Sequence, residues 1–286
     1  MKHTQAIQIL SKNIQVFSER RIGAECQRRI CMQQLLEHLY QEIQLKAPER
    51  FLECFRAEVP QADFRDRALA CLYLLQQLPE ALDPWVTANE HPAPGAHGRI
   101  SLVRNRSNEA AYRIFSESIV AAKAHYLPSF AEACEDVFDN RCEFGILPIE
   151  NTSDGKLFGF YSMLDRYELK ICAVCHLEPE NSEETVRYAL VGKHLPTRIP
   201  KQAEWNFEGV IITEIGQFPT EILAVASEFQ AELIQINSIP VLYDSGLQKI
   251  YFTFRLSPKH AAAFHLYLSQ EYARYSWIGC YPLLNE

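Results

Sequence analysis

The sequence lacks an excess of basic residues, which argues against a nucleic-acid or membrane-surface partner. The 286 residues carry a formal net charge of −8, whereas proteins that bind nucleic acid usually present a basic patch. No apolar run approaches the length of a membrane span, and the first residues lack the hydrophobic stretch of a signal peptide. We therefore expect a cytoplasmic protein with no nucleic-acid and no membrane partner.

The sequence also lacks the residue clusters that hold metals or form nucleophilic triads. Nine cysteines are scattered along the chain. Only Cys172 and Cys175 have CxxC spacing, and no second pair completes a structural metal site. We expect them to be buried or free thiols. The histidines are isolated in pattern, and no Ser-His-Asp set stands out. The sequence predicts no metal and no cofactor.

The residues that are present predict a globular protein of two or three domains. Hydrophobic residues make up 48% and charged residues 22% of 286 positions, which is typical of a core-forming chain. Apolar residues spaced by three and four, beginning at Ile7 and Leu10, predict helices up to about residue 82. Prolines and glycines between 84 and 98 then indicate a linker. We assign residues 1–90 to an all-helical domain.

Beyond the linker, strands and helices alternate, so the predicted fold class is a mixed α+β and α/β multidomain protein. Residues 98–200 predict one α/β lobe, which includes a strand at 99–103 and a helix that begins with Ser107 as its N-cap. A further helix at 158–167 and a strand at 169–177 complete this pattern. Residues 206–286 read strand, helix, strand, strand, helix, strand, the order of a ferredoxin-like split βαβ sandwich.

The sequence FGILPIENTSDG, residues 144–155, is the centre of the functional argument. Its apolar half predicts a buried strand, and its polar half places Glu150, Asn151, Thr152 and Ser153 where ligands of open α/β sheets bind. Amide and hydroxyl groups can hold a carboxylate, and Gly155 permits a tight turn. The alternative is an ordinary turn between a strand and a helix, in which Asn and Ser act as caps.

A longer stretch that ends in this motif, residues 129–155, resembles the core of the prephenate dehydratase family, including its PIEN-[ST]-S-x-G element. The resemblance implies decarboxylative dehydration of prephenate to phenylpyruvate. It also implies catalytic roles for Asn151, Thr152 and Ser153, with Glu150 and Gly155 binding the substrate.

Two departures from the family concern individual residues. Residues 183–191 resemble the Thr-Arg-Phe strand, which adds Arg187 to the catalytic set, but Val186 stands in place of the threonine and has no hydroxyl. The family's glycine-rich turn before the first helix is replaced by Arg104, Asn105 and Arg106. Of the substrate-binding positions there, Ser107 matches, while Arg104 and Arg106 would offer charge instead of close backbone approach.

A third departure concerns a whole lobe. In the family, a second α/β lobe separates the Asn-Thr-Ser loop from the Thr-Arg-Phe strand and forms the opposite wall of the cleft. Here one predicted helix and two strands already fill the interval, and a βαβ unit alone takes about 30 residues. We therefore predict that the second lobe is missing, and without it a site can neither exclude water nor fix two carboxylates.

The two ends of the chain resemble parts of fused enzymes of the same family. The C-terminal segment is similar to an ACT regulatory domain, which implies an effector-like element at Asn237, Ser238 and Pro240 and a homodimer formed through this domain. The helical domain occupies the position of a chorismate mutase, and Arg20 matches an active-site arginine of that enzyme. A helical interaction module is the alternative for this domain.

The function predicted from these observations is that of a prephenate dehydratase-like protein in phenylalanine biosynthesis, degenerate and acting in ligand binding or regulation. The expected ligand is a small aromatic or cyclohexadienyl carboxylate. The alternative is an active enzyme, either a dehydratase acting on prephenate or a mutase acting on chorismate.

Overall fold

A computed structural model of the chain describes residues 26, 28–40, 48–78, 95–178, 185–196, 198, 204–242 and 244–285. The chain divides into two compact units, residues 1–73 and 74–286.

The described part of the first unit is mainly helical, as the apolar spacing predicts, with a turn at residues 59–63. Residues 28–40 form α1, followed by α2 (Pro48–Glu58) and α3 (Phe64–Gln77). Helix α2 buries Phe51 and Phe55, one turn apart on the same face. Because these aromatic side chains are removed from water, this face stabilises the unit.

The second unit contains the remaining strands and helices, and their bounds are as follows: β1 (Arg99–Val103), α4 (Arg106–Ser116), β2 (Lys123–Leu127), α5 (Phe130–Phe138), β3 (Phe144–Asn151), β4 (Gly155–Lys156), α6 (Phe158–Arg166), β5 (Lys170–Leu177), β6 (Val186–Gly192), β7 (Trp205–Glu214), α7 (Thr220–Ala226), β8 (Glu232–Val241), β9 (Asp244–Leu256), α8 (Pro258–Glu271) and β10 (Tyr275–Tyr281).

All ten of these strands belong to one sheet with the order β2-β1-β3-β6-β5-β10-β7-β9-β8, and β4 pairs with β3 outside this path. Strands β1, β2 and β3 are parallel, whereas β6 runs antiparallel to both β3 and β5. The mixed α/β class predicted from the sequence is confirmed.

The last four strands have the order fourth, first, third, second, with antiparallel neighbours throughout, which is the arrangement of a split βαβ sandwich. This part joins the earlier strands where β10 runs parallel to β5. Gly279 is the register partner of Ile171 at that junction. A second contact there is the bridge between Val174 and Leu283.

Helices cover both faces of the sheet around β3. On one face, α5 and α6 pack on Leu147, Ile149 and Val174. On the other, α4 packs through Ala111 and Phe115 onto a cluster that includes β1 and β6. Because β3 is buried on both faces, its sequence reads as the continuous apolar run that sandwiched strands show.

One buried histidine in this unit gives the fold a pH dependence. His265 of α8 lies against the rings of Tyr275 and Trp277, and its Nδ1 is 3.0 Å from the Tyr275 hydroxyl. Burial, together with the charge of Lys170, lowers the pKa of His265 to about 4. The folded-state pKa of His265 lies below its unfolded value. Its contribution to the unfolding free energy is therefore complete above pH of about 6.5 and is lost as pH falls towards 4.

The His265→Gln variant should therefore be less sensitive to acid than the wild type. Between about pH 7.5 and pH 5 the wild type should lose about 2 kcal/mol of unfolding free energy through this group, and the variant should not. Glutamine does not titrate there and can still hydrogen-bond to Tyr275. Urea unfolding at both pH values measures the difference, and equal losses in the two proteins would contradict the assignment.

Candidate functional site

The polar motif at the end of β3 forms a tight hairpin with β4. Strand β3 ends at Asn151, and Gly155 begins β4 with a φ of +70°, a left-handed conformation that glycine adopts without strain. The Asn151 amide closes the turn, because its Nδ2 donates to Asp154 Oδ2 at 2.9 Å and its Oδ1 accepts from the Asp154 N–H at 2.5 Å. Both polar atoms of Asn151 are therefore engaged within the loop.

The two hydroxyl residues of the loop differ in their surroundings. The Thr152 N–H donates to the Thr185 carbonyl oxygen at 3.1 Å, and its Oγ1 accepts from the Thr185 N–H at the same distance. These bonds fasten the loop to the residue that precedes β6. Thr152 and Ser153 are both exposed, but of these two only the Thr152 hydroxyl is bonded to the residue that precedes β6.

Arg187 joins this loop because β3 and β6 are antiparallel neighbours, in which Glu150 faces Arg187 and Asn151 faces Val186. Arg187 Nη1 lies 3.0 Å from Glu150 Oε2, with side chains 32% and 20% exposed. The second Glu150 oxygen accepts from Gln235 Nε2 of β8 at 3.4 Å. We call residues 150–155 together with Arg187 the β3 loop site.

The start of α4 differs from the sequence prediction. Ser107 is not the N-cap, because Asn105 occupies that position and its side chain accepts from the Asn108 N–H at 2.8 Å. Asparagine caps at least as well as serine, and the helix begins at Arg106. The Ser107 side chain hydrogen-bonds instead to Tyr188, whose pKa burial raises above its usual value.

The two arginines at this turn are exposed. The Arg104 guanidinium lies over the ring of Tyr126 on β2, 5.3 Å from the ring centroid, a cation–π contact. Arg106 is the first residue of α4. The structure thus brings Ser107 beside Tyr188 of β6. Arg104 instead contacts β2, which flanks β1 on the side away from β3 and β6.

A buried polar network that the sequence did not reveal lies directly behind the loop. Lys156 of β4 forms an ion pair with Glu208 of β7, both almost completely buried. The Lys156 ammonium also donates to the Tyr161 hydroxyl at 3.0 Å and lies 3.4 Å from the Thr253 hydroxyl. Tyr281 donates to the second Glu208 oxygen at 2.8 Å.

This network is electrostatically coupled to the site. Burial, followed by the charge of Glu208, raises the pKa of Tyr281 well above its usual value, and Arg187 opposes that rise. A lysine after Gly155 and a glutamate inside an apolar strand were the sequence signals that could have pointed to this network. Their partnership was not predictable, because 52 positions separate them.

Within the described residues, His125, Asp136 and Cys142 form a group of possible metal ligands, with donor atoms within 4.8 Å of one another. The arrangement does not suit a cation. Arg99 Nη2 lies 3.1 Å from His125 Nδ1, so the imidazole proton is on Nε2 and faces Asp136. Arg141 occupies the other Asp136 oxygen at 2.6 Å, and burial raises the pKa of Cys142 to about 11.

Other predicted residues lie away from the β3 loop site or outside the described chain. Asn237, Ser238 and Pro240 are on β8, where Ser238 and Pro240 are exposed and Asn237 is partly buried. Arg20 lies outside the described residues. In the first unit, Arg28 lies 3.2 Å from Asp63 and 2.5 Å from Asp66.

The paired cysteines of the sequence are both buried free thiols on β5. Burial raises the pKa of Cys175 to about 12 and that of Cys172 well above its usual value. Both thiols are therefore protonated at neutral pH, and the expectation of buried or free thiols is confirmed for this pair.

Residues 106–180 match the family model for prephenate dehydratase. The predicted relationship to that family is confirmed for this segment. No curated protein matches the sequence.

One solved structure shows a similar fold, and two further matches have lower TM-scores. The prephenate dehydratase from Streptococcus mutans is 17% identical, with a TM-score of 0.53 over 65% of this chain and 98% of that one. GqqA, a novel type of quorum quenching acylase, is 15% identical, with a TM-score of 0.49 over 64% and 94% of the two chains. Prephenate dehydratase in complex with L-Phe from Arthrobacter aurescens is 14% identical, with a TM-score of 0.46 over 64% and 90%.

None of the helices that the structure describes is long and apolar enough to cross a membrane.

Proposed function

We propose that this chain, whose residues 106–180 are prephenate dehydratase-like, has lost the dehydratase reaction and acts by binding a small carboxylate. The proposed setting is the phenylalanine branch of aromatic amino-acid biosynthesis in the cytoplasm. One observation carries the proposal. The polar groups of the β3 loop site bind one another, Arg187 to Glu150 and Asn151 to Asp154.

These internal pairs oppose catalysis on prephenate, which carries two carboxylates. A bound carboxylate must compete with Glu150 for Arg187, and one arginine shared between two anions stabilises neither strongly. Val186 stands opposite Asn151 where the family's catalytic threonine is expected, and its side chain has no proton to donate. The transition state therefore lacks both a committed cation and a proton donor.

The elements between the loop and Arg187 support the absence of a second lobe. The described residues of that interval form β4, α6 and β5, and Asn151 and Val186 are direct neighbours across the sheet. A site formed on one side only is open to water, so we expect weak and salt-sensitive binding of an aromatic or cyclohexadienyl carboxylate. Calorimetry should show that Arg187→Ala removes the binding at the β3 loop site.

The test of the lost reaction is direct. Purified full-length protein incubated with prephenate should form no phenylpyruvate above the uncatalysed background, and with chorismate it should form no prephenate. The mutase arm tests the helical domain, whose predicted active-site residue is Arg20; elsewhere in that domain Arg28 pairs with Asp63 and Asp66. Phenylpyruvate formation that disappears in Asn151→Ala would establish an active dehydratase and overturn the proposal.

We further propose a homodimer formed through the C-terminal domain, residues 206–286. Strand β8 ends the sheet order, and its Leu233 and Ile234 are 41% and 40% exposed. Strand β9 is paired on both sides, so β8 supplies the edge. An unpaired apolar edge favours association with a second copy.

The protein should accordingly elute as a dimer in size-exclusion chromatography with light scattering, and Ile234→Lys should yield monomer. Phenylalanine should not alter the state, because Asn237 and Ile239 replace the acid and the arginine of the ACT effector element. A wild-type monomer at micromolar concentration would contradict the dimer. A dimer fraction that changes with phenylalanine would contradict the lost effector site.

A further inference from the structure

A cleft lies between α6 and the sheet, separate from the β3 loop site, and none of its lining residues belongs to that site. Its volume is about 400 Å³, within the range of small-molecule sites. The floor is apolar and aromatic, formed by Leu164, Val210, Tyr251 and Ile278. Such a floor favours a ligand that carries a ring or another compact apolar group.

The charged residues of the cleft are predominantly basic. Lys170, Lys249 and Arg274 line it, against Asp165 and Glu168. The two acidic residues are exposed, so water screens their charges effectively. Lys249 lies 3.7 Å from Asp165, whose side chain is 72% exposed, and an ion pair of this kind contributes little.

Lys170 is the best-placed cation for an anionic ligand. It is half-buried, and its Nζ donates to the Trp277 carbonyl oxygen at 2.8 Å. Across the described residues, no carboxylate lies within ion-pair distance of this ammonium, whose remaining N–H groups can donate to a ligand. Burial lowers the pKa of Lys170, which reflects a charge that a bound anion would stabilise.

Arg274 adds a second cation to the lining of the cleft. It is exposed and makes no ion pair with any described residue. A guanidinium can bind both oxygens of a carboxylate at once. Lys170 from β5 and Arg274 from the residue before β10 therefore present charge to an apolar cleft from two parts of the chain.

We propose that this cleft is a binding site for a small carboxylate with an aromatic or aliphatic ring. The ring packs on Tyr251 and Leu164, and the carboxylate is held by Lys170 and Arg274. Tyr161 lines the same cleft and accepts from Lys156, so a ligand here contacts the network behind the β3 loop site. The proposal does not depend on the function assigned to that site.

Calorimetry on the full chain with 3-phenylpropionate and its neutral analogue 3-phenylpropanamide tests the site. The carboxylate should bind about tenfold more tightly or better, a difference of about 1.4 kcal/mol. Lys170→Met preserves the side-chain length and Arg274→Gln changes an exposed residue. Each should weaken binding of the carboxylate about tenfold and leave binding of the amide unchanged. Arg113→Gln, an exposed arginine on α4, is the matched control and should bind normally.

Three results would overturn the proposal. The first is equal affinity for the carboxylate and the amide, and the second is no detectable binding at millimolar concentration. The third is binding that Arg187→Gln abolishes while Lys170→Met and Arg274→Gln retain it. That last result would place the ligand at the β3 loop site and support the proposed function while removing the second site.

Discussion

Lys156→Met should destabilise the second unit by about 3–5 kcal/mol, because it leaves the Glu208 carboxylate buried without its cation. Glu208 is 0% exposed, and the Tyr281 and Tyr161 hydroxyls, which carry no charge, would be left as its partners. A buried charge keeps its full desolvation cost when the opposite charge is removed. Urea unfolding at neutral pH measures the loss.

The double variant Lys156→Met/Glu208→Gln distinguishes this cause from simple loss of packing. It removes both charges, so it should be more stable than Lys156→Met alone, with a coupling energy of several kcal/mol. Lys249→Met is the matched control, because the same substitution there removes an ion pair to Asp165, whose side chain is 72% exposed, and should cost less than about 1 kcal/mol. Additive effects of the two buried substitutions would refute the coupling.

The network also determines how firmly the candidate site is held. Lys156 directly follows Gly155, so the ion pair anchors the hairpin that carries Asn151 and Thr152. The same Lys156→Met variant should show faster amide exchange in residues 151–155. Unfolding of the whole unit would expose every strand equally, whereas loss of the anchor alone affects this loop first.

Gly279→Ala is expected to be the most damaging single-methyl change in the sheet. A Cβ at Gly279 would lie 2.4 Å from the Ile171 carbonyl oxygen and 3.1 Å from its backbone nitrogen. Backbone atoms of β5 cannot rotate away as a side chain can, so the parallel contact of β5 with β10 must open. The expected cost is about 3 kcal/mol or more.

The consequence should be loss of cooperativity between the two parts of the sheet. Gly279 is the register partner of Ile171 where the strands of residues 98–200 meet those of 206–286. Chemical unfolding should change from one transition to two. Gly159→Ala is the control, because nothing lies within 4 Å of its Cβ. Because alanine is more favourable than glycine in a helix by about 1 kcal/mol, this control should not be destabilised. If Gly279→Ala unfolds as the wild type does, the contact of β5 with β10 accommodates the added methyl group without loss of stability, and the prediction is wrong.

The sequence alone determined the elements and the family relationship. The run FGILPIEN could only be a strand buried on both faces, and the order of residues 206–286 specified a split βαβ arrangement. The PIEN-x-S-x-G motif led to the family that matches residues 106–180. These features are local, because apolar spacing and turn chemistry act within a few residues of each position.

The N-cap residue of α4 could not be predicted from the sequence, because two candidates lie within one turn. Asn105 and Ser107 are both good N-caps, and the choice between them depended on which side chain had another partner. Ser107 binds Tyr188 of β6, so Asn105 closes the helix. The propensities of the two residues are similar, and only a contact from a distant strand separated them.

Tertiary structure alone decided the state of the candidate site. The sequence placed Arg187 in the catalytic set, and the pairing of β3 with β6 sets it against Glu150. Lys156 meets Glu208, and β5 meets β10, across long stretches of chain. Such contacts follow from sheet order and register, which no local pattern encodes. The positions of the charged groups in the candidate site are therefore fixed only when the strands assemble.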